Sequence, residues 1–263
     1  MNAGSAETWL FDLGNSRAKA ARLVNREPVD VTAMDWDKQD FVAALRGELE
    51  NWPRAKRVWV ASVASAERMQ RVREVLASIE SGPIEWLRTP RRAGGVTNDY
   101  AKPERLGIDR FLAMLAAHAH GPDACVVVGC GTALTLDAVT GDGHHAEGMI
   151  ALSPPGMLQA LQARTAIADV NPDAFADRAG DDTANALQKG CWASAGALVE
   201  WFATCCRTRF GAQRVWLHGG WAERLAEWLA NDGFRAEILE HAVLQGLATW
   251  VGDTGIKSDV GDR

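Results

Sequence analysis

Tyr100 is the only tyrosine in a chain of 263 residues that carries 11 tryptophans, so its hydroxyl stands out as a candidate polar contact. Paired cysteines are missing too. Cys125, Cys130, Cys191, Cys205 and Cys206 are scattered, odd in number and never spaced C-x-x-C, which excludes a zinc ribbon or a redox dithiol and predicts free thiols in a reducing compartment. No run approaches the roughly 20 apolar residues of a membrane span. The opening MNAGSAET lacks a basic region followed by an apolar core, so a secretory signal is not expected. Positive charge is not in excess. A net charge of −6 argues against nucleic acid or an anionic membrane surface as partner. Neither G-x-x-x-x-G-K-[ST] nor a G-x-G-x-x-G opening a helix after a strand occurs, which removes the P-loop and Rossmann readings. The expectation is a cytoplasmic α/β protein.

What is present alternates strand and helix patterns. Residues 9–13 and 17–24 read as a hairpin, 57–65 as a strand running into a turn, 66–79 and 108–120 as helices, and 124–139 as a strand, a glycine turn and a second strand. A polar stretch with helical pieces spans about 152–185. A long helix then reaches Phe210, and the strand RVWLHGG and two more helices follow. The chain also repeats itself. FDLGNSRAKAARL is echoed by VGCGTALTLDAV, and RVWVASVASAERM by RVWLHGGWAERL, in the same order. The second pair lies further apart, which places an insertion near 145–190. The repeat predicts two α/β lobes with a cleft between them, spanning 1–120 and 121–255, followed by a polar tail at 256–263.

Three segments can carry chemistry. In DLGNSRAK an acid closes a strand beside a glycine turn. Backbone N–H groups at such a turn can approach phosphate oxygens, with Asn15 and Ser16 as further donors and Lys19 as a positive charge. Asp12 can hold hydrated Mg2+ through one carboxylate or merely shape the turn. In NDYAKPERLGIDR, Gly107-Ile108-Asp109-Arg110 opens a helix. Asp109 there is either a natural N-cap or the group that takes a proton from a substrate hydroxyl in phosphoryl transfer, and the fork of Arg110 can hold an anion. In DDTANALQKG, Thr183 is a helix cap or a donor into the cleft. Gly219-Gly220 can admit an adenine or form a tight turn. His144-His145, in GDGHHAEG, read as an exposed hairpin loop.

Together DLGNSRAK, NDYAKPERLGIDR, GTALTLDAV and DDTANALQKG, in that order, resemble the type III pantothenate kinase family. The resemblance implies duplicated actin-like (ribonuclease H-like) domains of the acetate and sugar kinase/Hsp70/actin superfamily, a homodimer, and transfer of the ATP γ-phosphoryl group to the pantothenate hydroxyl with Mg2+. It implies ATP contacts at Asp12, Leu13, Gly14, Asn15, Ser16, Arg17, Ala18, Lys19, Gly131, Thr132, Gly219 and Gly220. It implies pantothenate contacts at Tyr100, Gly107, Ile108, Asp109, Arg110 and Thr183, with Asp109 as the base and Asp12 as the metal holder. One position departs from the family pattern. The second hairpin usually reads Asp-x-Gly-Thr, and here the acid is Gly129. That acid is the family's monovalent-cation ligand, so a K+ or NH4+ requirement is put in question. The resemblance also leaves a non-catalytic regulator of the same fold, or another small-molecule kinase, as alternatives.

Overall fold

The computed structural model describes residues 7–37, 40–165, 170 and 182–258, with side chains to 253. The chain forms two compact units. One runs to Ala119 and takes up the chain again from Ala242; the other is His120–His241.

The first unit opens with an antiparallel meander, β1 (Thr8–Leu13), β2 (Arg17–Val24) and β3 (Glu27–Asp35). Helix α1 (Phe41–Glu50) leads to β4 (Arg57–Ser62), and α2 (Ala66–Ser78) leads to β5 (Ile84–Trp86). The sheet order is β3-β2-β1-β4-β5, with β4 parallel to β1. All six residues of β1 are buried, as expected of a strand covered on both faces. Because side chains alternate, Trp9, Phe11 and Leu13 enter a core with Phe41 and Leu45 of α1 and Val72, Val75 and Leu76 of α2. Leu10 and Asp12 point to the opposite face. A two-stranded ribbon, β6 (Arg92–Ala93) and β7 (Val96–Thr97), precedes α3 (Ile108–His118).

The second unit repeats this plan. Strands β8 (Cys125–Cys130), β9 (Ala133–Val139) and β10 (His145–Leu152) form the meander, followed by α4 (Pro154–Gln162) and α5 (Thr183–Phe210). Strand β11 (Arg214–His218), α6 (Ala222–Asn231) and β12 (Glu237–Ile238) complete it. The order β10-β9-β8-β11-β12 copies the first sheet strand for strand. Val126, Val128, Leu134, Leu136 and Leu217 from the sheet pack with Trp192, Val199, Phe202, Leu225 and Trp228 from α5 and α6.

The last helix, α7 (Ala242–Ser258), corrects the expected division at 121–255. It packs along α3 and against β1. Its Gly246 approaches α3 so closely that a Cβ there would collide with the Leu112 carbonyl oxygen. The apolar residues Leu244, Leu247 and Ala248 need a partner, and α3, with Phe111, Leu112 and Leu115 buried, supplies one. The expected tail at 256–263 therefore begins within this helix; residues 259–263 lie outside the described residues. The expected insertion at 145–190 holds β10, α4 and the start of α5, while 166–169 and 171–181 lie outside the described residues. The expected exposed hairpin loop holds for His144, which precedes β10, but not for His145, which starts that strand. His144 is exposed, but His145 is 3% exposed, with Nε2 2.8 Å from Asp137 Oδ1 on β9. Among the described residues no helix is long and apolar enough to cross a membrane, and all five cysteines are free.

Candidate active site

In the first unit, Asp12 is the fifth residue of β1 and the Cα partner of Lys19 on β2 and of Ala61 on β4. It is 8% exposed. Burial pushes its carboxyl up to about 6, Lys19 pulls it back, and the nearby charge of Asp109 pushes it up further. Asp12 and Asp109, far apart in sequence, are thus electrostatic neighbours. The turn beyond Asp12 is closed by the Gly14 N–H donating to the Arg17 carbonyl at 3.0 Å. Asn15, Ser16 and Arg17 are exposed at its tip, Leu13 and Ala18 are buried, and Lys19 is half-buried.

Asp109 is not a helix cap, one of the two roles the sequence left open. Gly107 takes the N-cap position and Asp109 is the second residue of α3, where a carboxylate still gains from the helix dipole. Its side chain folds back over Gly107, so that a Cβ at 107 would sit 2.5 Å from Asp109 Oδ1. Ile108 and Arg110 are buried, Arg110 at 7% exposure. Tyr100 is half-buried in the loop leading to α3, and its backbone N–H donates to Asn98 Oδ1 at 3.0 Å.

Asn98 is an organiser that sequence reasoning missed. Fully buried, it donates from Nδ2 to the Pro103 carbonyl at 3.0 Å and to the Pro90 carbonyl at 3.4 Å. Arg91 donates to the Asn98 carbonyl at 2.9 Å, and Thr89 Oγ1 to that of Leu106 at 2.6 Å. These bonds fix the loop carrying Tyr100 and Gly107. The one available hint was a small amide residue inside a motif otherwise read for its tyrosine and acid.

The remaining candidates lie in the second unit. Its glycine turn is closed by the Gly131 N–H donating to the Ala133 carbonyl at 3.0 Å. The Thr132 carbonyl accepts from Ser153 Oγ at 3.0 Å, and Ser153 also caps α4. Gly219 (φ +100°) lies against this turn, so close that a Cβ would be 2.5 Å from the Cys130 carbonyl oxygen, while the Trp221 N–H donates to that same oxygen at 3.0 Å. A side chain at 219 is thus barred both by the backbone angle and by space. Gly219 and Gly220 are exposed. Thr183 is exposed at the first position of α5, but it does not cap that helix. Asp182 does, accepting from the Asn185 N–H at 2.8 Å.

Gly129 is the fifth residue of β8, the counterpart of Asp12 in β1. Its Cα partners are Thr135 and His218, the counterparts of Lys19 and Ala61. A Cβ at 129 would lie 2.5 Å from Thr135 Oγ1 and 3.0 Å from His218 Nε2.

Among the described residues no three of His, Cys, Asp and Glu cluster to form a protein metal cage. Mg2+ at a nucleotide needs only one or two carboxylates besides phosphate oxygens. Asp12 fits that demand. Burial and Asp109 make its negative charge costly, and a bound cation would relieve the cost.

A solved structure from Clostridium difficile, the activator of the 2-hydroxyisocaproyl-CoA dehydratase with bound ADPNP, matches with a TM-score of 0.55 at 10% identity, over 98% of this chain and 99% of that one. The two sheets of matching strand order and this likeness define the fold as a duplicated α/β architecture shared with that nucleotide-bound protein. A family model described as type III pantothenate kinase matches residues 9–204. A type III pantothenate kinase of Xanthomonas campestris pv. campestris (strain B100) is 41% identical over 245 residues, covering 92% of this chain and 96% of that protein. One from Xylella fastidiosa (strain M23) is 38% identical over 243 residues, with the same coverage. The chain belongs to the type III pantothenate kinase family.

Proposed function

We propose that this protein transfers the γ-phosphoryl group of ATP to the primary hydroxyl of pantothenate, the first step of coenzyme A synthesis. The observation that carries this reading is the pairing of a buried Asp12, pushed up to about 6, with Asp109 beside a glycine turn. One carboxylate is poised for a cation and the other for a proton, which is what phosphoryl transfer to an alcohol requires. Family membership favours this kinase over a non-catalytic regulator or a kinase for another small molecule.

In this reading the backbone of Gly14–Lys19 receives the nucleotide phosphates, and Lys19 supplies positive charge. Asp12 would hold Mg2+, which when bound neutralises charge on the phosphates. Asp109 accepts the hydroxyl proton, while Tyr100, Gly107, Ile108 and Arg110 orient the acceptor. The second unit's glycine turn, with Gly131, Thr132, Gly219 and Gly220, offers comparable backbone donors to a nucleotide, and the family resemblance assigns Thr183 to the acceptor. K+ or NH4+ is not proposed as a requirement, because Gly129 carries no carboxylate and Thr135 and His218 occupy the space one would need. A homodimer is proposed on exposed apolar residues of the second unit, Ile150, Leu152, Leu161 and Trp201, which water solvates poorly. The five free cysteines agree with a cytoplasmic setting.

The test is formation of 4′-phosphopantothenate by the purified protein with ATP and Mg2+, with and without K+ or NH4+. No product under any of these conditions rejects the reading. Product only with a monovalent cation rejects the assignment at Gly129 alone.

A further inference from the structure

The tip of the β1–β2 turn is held from outside. The Trp36 indole N–H donates to the Gly14 carbonyl at 2.8 Å. Arg68, at the start of α2, donates from Nη1 to the Asn15 carbonyl. The Trp36 backbone N–H reaches the Ser16 carbonyl at 3.5 Å. Three successive carbonyls of the turn are thus drawn toward one pair of residues.

That pair is itself locked. Trp36 is 2% exposed and packs on Phe41, with ring centroids 4.7 Å apart. The Arg68 guanidinium lies 5.6 Å over the Trp36 ring and 3.6 Å from Asp37. Arg71, one turn on along the same face of α2, donates to the Trp36 carbonyl at 3.2 Å and lies over Phe41. Ser65 caps α2 through the Arg68 N–H.

A trans peptide is planar, with its C=O and N–H pointing in opposite directions, and the described residues contain no cis bonds. Fixing the Gly14 and Asn15 carbonyls therefore fixes the Asn15 and Ser16 N–H groups, which face away from Trp36 and Arg68. Successive N–H groups on one side of a turn form an anion-binding concavity. Binding is tighter when that geometry exists before the anion arrives.

We infer that Trp36 and Arg68 are positioning residues for nucleotide phosphates. They hold the turn's carbonyls so that its amides are set for an anion, without touching the anion themselves. This rests on the proposed kinase reading. It goes beyond that reading by assigning a role to two residues outside the turn.

The experiment is calorimetric titration of the full chain with Mg-ADP and Mg-ATP, for wild type, Trp36→Phe and Arg68→Gln, alongside KM for both substrates. Trp36→Phe keeps an aromatic ring against Phe41 and removes the indole donor together with part of the buried ring, so Tm is read alongside. Each variant should weaken nucleotide binding by about threefold to tenfold, the scale of one lost hydrogen bond, and leave KM for pantothenate unchanged. Arg68→Lys, which keeps a donor for Asn15, should recover most of the loss seen in Arg68→Gln. Wild type that binds no nucleotide overturns the kinase reading. Wild type that binds while both variants bind equally well overturns the positioning role. An equal rise in KM for both substrates with a lowered Tm marks Trp36 as a packing residue only, and Arg68→Gln then decides.

Discussion

Gly129 and His218 are Cα partners on parallel strands, and the imidazole occupies space that a side chain at 129 would need, with Nε2 3.0 Å from the site of its Cβ. Thr135 Oγ1 crowds the same point from the other side at 2.5 Å. Strand β8 therefore accepts glycine here because its neighbours have already filled the volume. Gly129→Ala should cost about 1–3 kcal/mol through overpacking, read as a lower denaturation midpoint at unchanged m-value. His218→Ala in the same chain should restore part of the loss. Additive losses in the double variant would show that the two positions do not compete.

Asp109 and Gly107 make a second such pair. Gly107→Ala puts a methyl group where the Asp109 carboxylate lies. The backbone at 107, at φ −53° and ψ 132°, is open to any residue, so the folding cost should be small. The turnover cost should not be, because a displaced base loses most of its contribution of roughly 10²–10⁴-fold. Asp109→Asn should show a similar loss of kcat with Tm nearly unchanged. A Gly107→Ala enzyme at wild-type kcat would place the base elsewhere.

Asp12 should trade stability for function. Its folded-state carboxyl is pushed above the ordinary 3.8 to about 6, so ionising it costs folding free energy. That cost is absent below pH 3.8 and fully present above pH 6, where it reaches roughly 3 kcal/mol. Asp12→Asn should therefore be more stable than wild type at pH 7.5, with the advantage shrinking as pH falls through 6 toward 4. The same variant should lose Mg2+-dependent nucleotide binding. In wild type that binding should weaken as protonation removes the anion below about pH 6. Comparing wild type with Asp12→Asn across pH isolates this one group from the other carboxylates.

Leu152 on β10 and Leu161 on α4 are exposed at 52% and 41%. Leu152→Glu with Leu161→Glu should shift a dimer to monomer in sedimentation velocity, with no loss of secondary structure. An unchanged sedimentation coefficient would move the proposed interface off this face.

The repeat could be read from the sequence because it rests on local signals. Apolar runs meeting glycine turns, as in β1–β2 and β8–β9, announce themselves within a dozen residues. The third strand of each meander did not. Strand β3 is only partly buried along its length, and β10 hides behind a histidine pair of which one member is exposed and the other buried against Asp137. Of the candidate residues, Asp12 and Asp109 were visible as acids beside glycines. Their electrostatic coupling was not, since it depends on where α3 comes to lie in the folded unit. Trp36, Arg68 and Asn98 act on backbone carbonyls far along the chain or inside a loop, and no spacing rule encodes such bonds. Of the two roles the sequence left open at Asp109 and at Thr183, the cap falls away, because tertiary context chose Gly107 and Asp182 instead.

The return of α7 to α3 also sets a timetable. A ribosome must add the whole of His120–His241 between the helix that bears Asp109 and the helix that covers it, roughly 6–24 s at ordinary elongation rates. Through that interval the apolar side of α3 has been made but its partner has not. A chain that ends before Ala242 would carry every residue assigned to the phosphate turn and the acceptor, yet leave α3 without the cover that Gly246 lets come so near. Loss of the last helix, far from any reacting atom in sequence, should therefore be felt first at Asp109.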